Sequence, residues 1–156
     1  MLSRRSALAA ALIALAAGAL AAVSSRTPAV FDALLPAGRT TLPLAKLAER
    51  EPLRADEGFR VVALGQDAHT SHHLVHIRNA ERPHRHDTHD LVVVILRGHG
   101  TMRLGQERRP VGEGSILYVP RGTLHAFSNE SGEPASAYAM YTPPFDGQDR
   151  VDIEAP

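Results

Sequence analysis

Cysteine is absent from the 156 residues. Its absence excludes disulfides, thiolate zinc sites and thiol catalysis together. It also excludes a lipid-modified cysteine after the N-terminal apolar run, and it leaves any metal site to nitrogen and oxygen ligands. Net charge is missing too: 17 Lys and Arg balance 17 Asp and Glu. A chain without a basic excess has no electrostatic footprint for nucleic acid, so that class of partner is set aside. Long helical periodicity and internal repeats are not found either. What is present in excess is histidine. All nine lie between His69 and His125.

The length suits one domain. The first 23 residues are expected to stand outside it. Arg4 and Arg5 precede an apolar run, Ala7 to Val23, rich in Ala and Leu. A charged start, an apolar stretch and small residues near its end make a signal peptide, with Ala19-Leu20-Ala21 as a cleavage site. At about 17 residues the run also reaches the lower limit for a membrane-spanning helix. Two readings therefore stand: a cleaved signal that sends the protein to the periplasm or otherwise exports it, or an uncleaved anchor helix with the domain facing the periplasm. Ser3-Arg4-Arg5-Ser6-Ala7-Leu8 resembles a twin-arginine export signal, with Ala7 where a bulky apolar residue is usual. A general secretory signal with two ordinary arginines reads equally well.

Residues 24–57 read as a linker. Ser24 to Pro43 holds three prolines and a short apolar island, Val30 to Leu35. Leu44, Leu47 and Ala48 have helical spacing, and Pro52 ends the short helix they predict. Residues 58–142 read as all-β. Leu91 to Leu96 is an apolar run, β-branched in the middle, as in a strand buried on both faces. Further short strands are expected at Phe59–Leu64, His73–Ile77, Thr101–Leu104, Ser115–Val119, His125–Ser128 and Ala135–Tyr141. Gly and Pro punctuate them at roughly ten-residue intervals, the pattern of a sandwich or barrel. Tyr118, Phe127, Tyr138 and Tyr141 are expected in the core. Residues 143–156 begin Pro143-Pro144, which excludes helix and predicts an extended tail that covers a barrel edge or reaches a second subunit.

Gly114, Pro120, Gly122, His125 and Asn129 stand in the pattern G-x5-P-x-G-x2-H-x3-N. The glycines and proline reverse the chain and aim His125 inward, and Asn129 is expected to stabilise a turn. Upstream, His84 and His86 stand at i and i+2, on one face of a strand. Gly98 closes that segment, and fifteen residues separate it from Gly114. On these motifs the chain resembles the cupin superfamily, as a small single-domain bacterial cupin, over about Phe59 to Tyr141. The resemblance implies a double-stranded β-helix, or jelly-roll barrel, with one mononuclear metal in its mouth. It also implies a homodimer.

One position departs from the family, which usually supplies a glutamate after the second histidine. Counting forward from His86 gives Asp90, and counting back from Gly98 gives Leu91. A bulge reconciles the two counts. Placed at Asp87-Thr88, it turns His89, Leu91 and Val93 inward and makes His84, His86, His89 and His125 the metal ligands. Placed after Asp90, it substitutes Asp90 for His89. The buried run beginning at Leu91 favours the first. Either set suits one divalent transition metal: iron, manganese, nickel, copper or zinc.

Among the other histidines, His72 and His76 share one strand face and His73 takes the other. His73 and Leu91 are candidate pocket residues. The plainer reading of this group is a solvent-facing, histidine-rich strand. Two functions follow. One is an exported metal-dependent enzyme acting on a small organic molecule, a dioxygenase or an isomerase. The other is a non-catalytic periplasmic protein that binds a small molecule or a metal. An open metal position within reach of a glutamate or tyrosine favours the enzyme. A closed four-ligand site favours the binder.

Overall fold

The computed structural model describes residues 29–35 and 38–153. The expected signal or anchor over residues 1–23 lies outside them. Among the described residues no helix is long and apolar enough to cross a membrane. The chain runs β1 (Val30–Leu35), β2 (Gly38–Pro43), α1 (Leu44–Ala48), β3 (Phe59–Gln66), β4 (Ser71–Ile77), β5 (His84–His86) and β6 (Asp90–Arg97). It continues through β7 (His99–Leu104), β8 (Glu107–Gly112), β9 (Ile116–Val119), β10 (His125–Asn129), β11 (Ala135–Thr142) and β12 (Arg150–Asp152).

Two five-stranded antiparallel sheets face each other, in the orders β12-β5-β10-β7-β8 and β3-β4-β11-β6-β9. This is the jelly roll expected from the strand spacing. Val75, Ile77, Leu91, Ile95, Met102 and Phe127 meet between the sheets. Strand alternation sets which side chains join them. On β6, Leu91 and Ile95 point in while Asp90 points away, the register a bulge at Asp87-Thr88 requires. On β9, Leu117 and Val119 are buried, which leaves Tyr118 on the outer face at 60% exposure. The expectation of a core Tyr118 is therefore corrected. The apolar composition of β9 hid its period of two.

Two segments do more than their composition suggested. Inside the presumed linker, β1 and β2 pair as a hairpin, with Asp32 opposite Thr41 and accepting a hydrogen bond from its hydroxyl at 2.7 Å. With α1, the hairpin covers the outer face of β3 and β4, where Leu47, Val62 and Leu74 form a second apolar cluster. Burying Leu47 completely stabilises this cap by about 1.5–3 kcal/mol. The histidine-rich strand β4 is consequently covered on both sides, and the solvent-facing reading is overturned. His76 is 1% exposed, accepts from Ser136 Oγ at Nδ1 and donates from Nε2 to the Arg50 carbonyl. The tail, in turn, returns to the barrel: β12 pairs with β5, Arg150 opposite His86 and Asp152 opposite His84.

Candidate metal centre

His84 and His86 project from one face of β5, and His125 of β10 lies directly opposite His84 in the ladder. Pro120 and Gly122 create that register. Gly122 sits at φ +75°, a conformation open to glycine, and its N–H donates to the His86 carbonyl at 2.6 Å. The three rings are buried, with centroids 4.2 Å apart for His84 and His125, 5.2 Å for His84 and His86, and 5.4 Å for His86 and His125. One nitrogen from each lies within 4.8 Å of the others. Among the described residues this is the group able to hold a metal ion.

The outward nitrogens show which way each ring works. Nδ1 of His84 faces the Arg82 carbonyl at 2.9 Å, that of His86 the Asp149 carbonyl at 3.2 Å, and that of His125 the Thr123 carbonyl at 2.9 Å. A carbonyl only accepts, so each Nδ1 carries the proton and each Nε2 keeps its lone pair. Nε2 of His86 is buried without a partner, as a nitrogen reserved for a ligand would be. Burial, reinforced by neighbouring His125, pushes His84 down to about 3 and His86 to about 4; burial lowers His125 as well. All three are thus neutral at pH 7, the form that binds metal. Three imidazoles fit zinc, iron, nickel or copper.

His89 and Asp90 stay out of this group. His89 does turn inward and is buried, but its Nδ1 is bonded to Asp149 Oδ2 at 2.5 Å and its Nε2 lies 3.2 Å from the Pro144 carbonyl. Both nitrogens thus have partners outside the triad. The stacked rings of Tyr141 and Phe145, 4.6 Å apart, also stand between His86 and His89. Asp90 points outward to Arg121, accepting from its backbone N–H at 2.9 Å and its guanidinium at 2.7 Å. Those bonds hold its carboxyl down at about 2. His73 lies edge-on to Tyr141, its Nε2 bonded to Ser71 Oγ, and it does not line the cavity beside the triad. Leu91 does. Asn129 ties a turn, donating to the Arg78 and Glu133 carbonyls and accepting from the Ser131 N–H.

A cupin domain model matches residues 68–141, the segment that contains all three ligand candidates. The chain carries a small cupin-type domain. An uncharacterized protein of Aquifex aeolicus is 35% identical over 98 residues, 63% of this chain and 80% of that one. Among solved structures, a double-stranded β-helix protein of Klebsiella pneumoniae superposes with a TM-score of 0.59 at 13% identity, covering 69% of this cupin and 95% of its own chain. The nucleoside dehydratase Pac13 of Streptomyces superposes with a TM-score of 0.54 at 19% identity, covering 69% and 88%. At these identities the structures speak for the fold.

The cupin barrel encloses a cavity of about 60 Å³ beside the triad. His84 and His125 form one wall. Val75, Ile95, Met102 and Phe127 make the rest largely apolar, and Glu81, Tyr141 and Arg150 bring polar groups to it. Burial raises both the Glu81 carboxyl and the Tyr141 hydroxyl. Glu81 was not legible as a site residue, since it belongs to no motif. The chain returns it to the barrel through its own N–H, bonded to the Phe127 carbonyl at 2.9 Å. Arg150 was equally hidden, because only the pairing of β12 with β5 brings it there.

Proposed function

We propose that His84, His86 and His125 hold one divalent transition metal, and that the barrel is an exported metal-dependent enzyme acting on a small organic molecule. The observation that carries this reading is the shared orientation of the triad. Each Nδ1 is committed to a carbonyl, and each Nε2 is turned toward a common point beside a largely apolar cavity. Three protein ligands leave coordination positions open, as in catalytic rather than closed structural sites. A metal bound there supplies Lewis-acid polarisation, or dioxygen chemistry if it is iron, manganese, nickel or copper.

The chain's own groups do the rest. The apolar walls exclude water. Glu81, whose carboxyl burial pushes toward its neutral form, can hand a proton to a substrate oxygen and take it back, the exchange an isomerase needs. The Tyr141 hydroxyl, held neutral, can donate a hydrogen bond to the same atom. Acid and base groups beside an open metal position favour the enzyme over the non-catalytic binding protein. Export rests on Arg4, Arg5 and the apolar run to Val23, and a homodimer accompanies it by resemblance to other cupins; cell fractionation and sedimentation read these out. The decisive test is elemental analysis of the purified protein. About one equivalent of metal is expected. Metal at background in protein never exposed to chelator would leave the triad as a pocket lining.

A further inference from the structure

We infer that Arg150 is the anchor for the carboxylate group of a small acidic ligand bound in the triad cavity. The inference rests on the proposed function in one respect: the cavity beside the triad must be a ligand site. Among the described residues that line it, Arg150 is the cationic one. It enters from β12, with Nη1 3.1 Å from His84 Nε2 and 3.8 Å from Glu81 Oε1. Its Nε is bonded to Asp152 at the surface, and Nη2 reaches the Arg82 carbonyl at 3.4 Å. The guanidinium also lies over the Phe59 ring, 5.8 Å from its centroid. Phe59 and Arg150 are the most exposed members of the lining, so together they mark the mouth.

This arrangement leaves Nη1 with a conditional partner. When the His84 lone pair binds a metal, it can no longer accept from Arg150, and two cations then face each other across a low-dielectric cavity. An anion between them relieves both. Glu81 does not fill that role, because burial favours its neutral form, which donates to an incoming carboxylate instead of repelling it. The size of the cavity limits the anion. About 60 Å³ holds only a few water molecules. Val75, Ile95, Met102 and Phe127 give the cavity apolar walls. A short carboxylic acid with an apolar body fits these constraints, and a phosphate ester or sugar does not.

The test titrates butyrate and its neutral isostere butyramide into the ¹⁵N-labelled full chain, metal-free and zinc-loaded, following backbone NMR shifts. Saturable shifts around the cavity are expected with butyrate, and binding of butyramide is expected to be weaker by about tenfold or more. Arg150→Gln should remove that preference, lowering butyrate affinity about tenfold while leaving butyramide unchanged. Arg150→Lys, which keeps the charge, should retain part of it. The same spectra report that each variant is folded. No saturable shift with butyrate overturns the inference, as does equal butyrate binding by the wild type and Arg150→Gln. Zinc stoichiometry, measured separately, keeps the two readings apart. If zinc does not bind but the Arg150-dependent preference persists in the metal-free chain, the metal assignment falls and the anchor stands.

Discussion

Two groups of histidines share this barrel, and they differ in the direction of their free nitrogens rather than in burial. On β4, His76 is as deeply buried as any member of the triad, yet both its nitrogens are consumed by Ser136 and the Arg50 carbonyl. On β5 and β10, one nitrogen of each ring is tied to a carbonyl and the other faces its two neighbours. His89 lies between these cases: inward-facing, but clamped by Asp149 and Pro144. Density of histidine therefore does not make a metal site. The hydrogen bond on the far side of the ring does, because it decides where the lone pair points.

The comparison breaks most visibly at the triad. His84→Ala with His125→Ala should take metal content from about one equivalent to background, while circular dichroism still reports a folded barrel. Unchanged metal content would remove the ligand assignment. Asp149→Ala should have a smaller effect. Asp149 holds His89 and the N–H groups of Asp87 and Thr88, and its carbonyl orients His86. Metal affinity is expected to fall about tenfold with the stoichiometry intact, as read by competition with a chelator.

On β4 the outcome should invert. His76→Ala leaves Ser136 and the Arg50 carbonyl without their partner and should cost about 1–3 kcal/mol in denaturant unfolding, with metal content unchanged. The pH dependence separates the groups again. Folded His84 and His86 titrate at about 3 and 4, below the ordinary 6.5. Between those values the unfolded chain binds more protons than the folded one. Stability of the metal-free protein is therefore full above about pH 6.5 and declines as the pH drops, by up to ~1.4 kcal/mol per pH unit for each histidine. Metal on the triad should flatten the part of the curve owed to it and leave the part owed to His73 and His76, which burial also lowers. The smallest effect is expected from Asp90→Asn, which weakens an outward-facing pair with Arg121 and should leave metal content as it was.

The sequence was most legible where the determinants are local. Gly114, Pro120, Gly122 and His125 act within one turn, and His84 and His86 share a face by strand alternation alone, so spacing sufficed. The inward turn of His89 and Leu91 and the outward turn of Asp90 also followed from the buried run on β6. Illegible were the features created by distant pairing. Arg150 meets His84 across a sequence separation of 66, Glu81 needs the backbone of Phe127, and Phe145 is placed by its N–H on Ser71 Oγ. The β1–β2 hairpin was masked by prolines at its borders. The covering it provides for β4 turned a strand that looks polar into one buried on both faces. Tyr118 failed for the opposite reason: in an all-apolar strand, composition does not show which face is wet.

The stacked pair of Tyr141 and Phe145 has a practical consequence. The chain has no tryptophan and three tyrosines, and the buried one lies edge-on to His86 at 5.3 Å. Its ultraviolet emission starts in the immediate shadow of whatever occupies the triad. A paramagnetic ion there would dim it, while filled-shell zinc would leave it bright. The unlabelled protein thus carries an optical gauge that distinguishes metals by electronic character, in a spectral window free of indole.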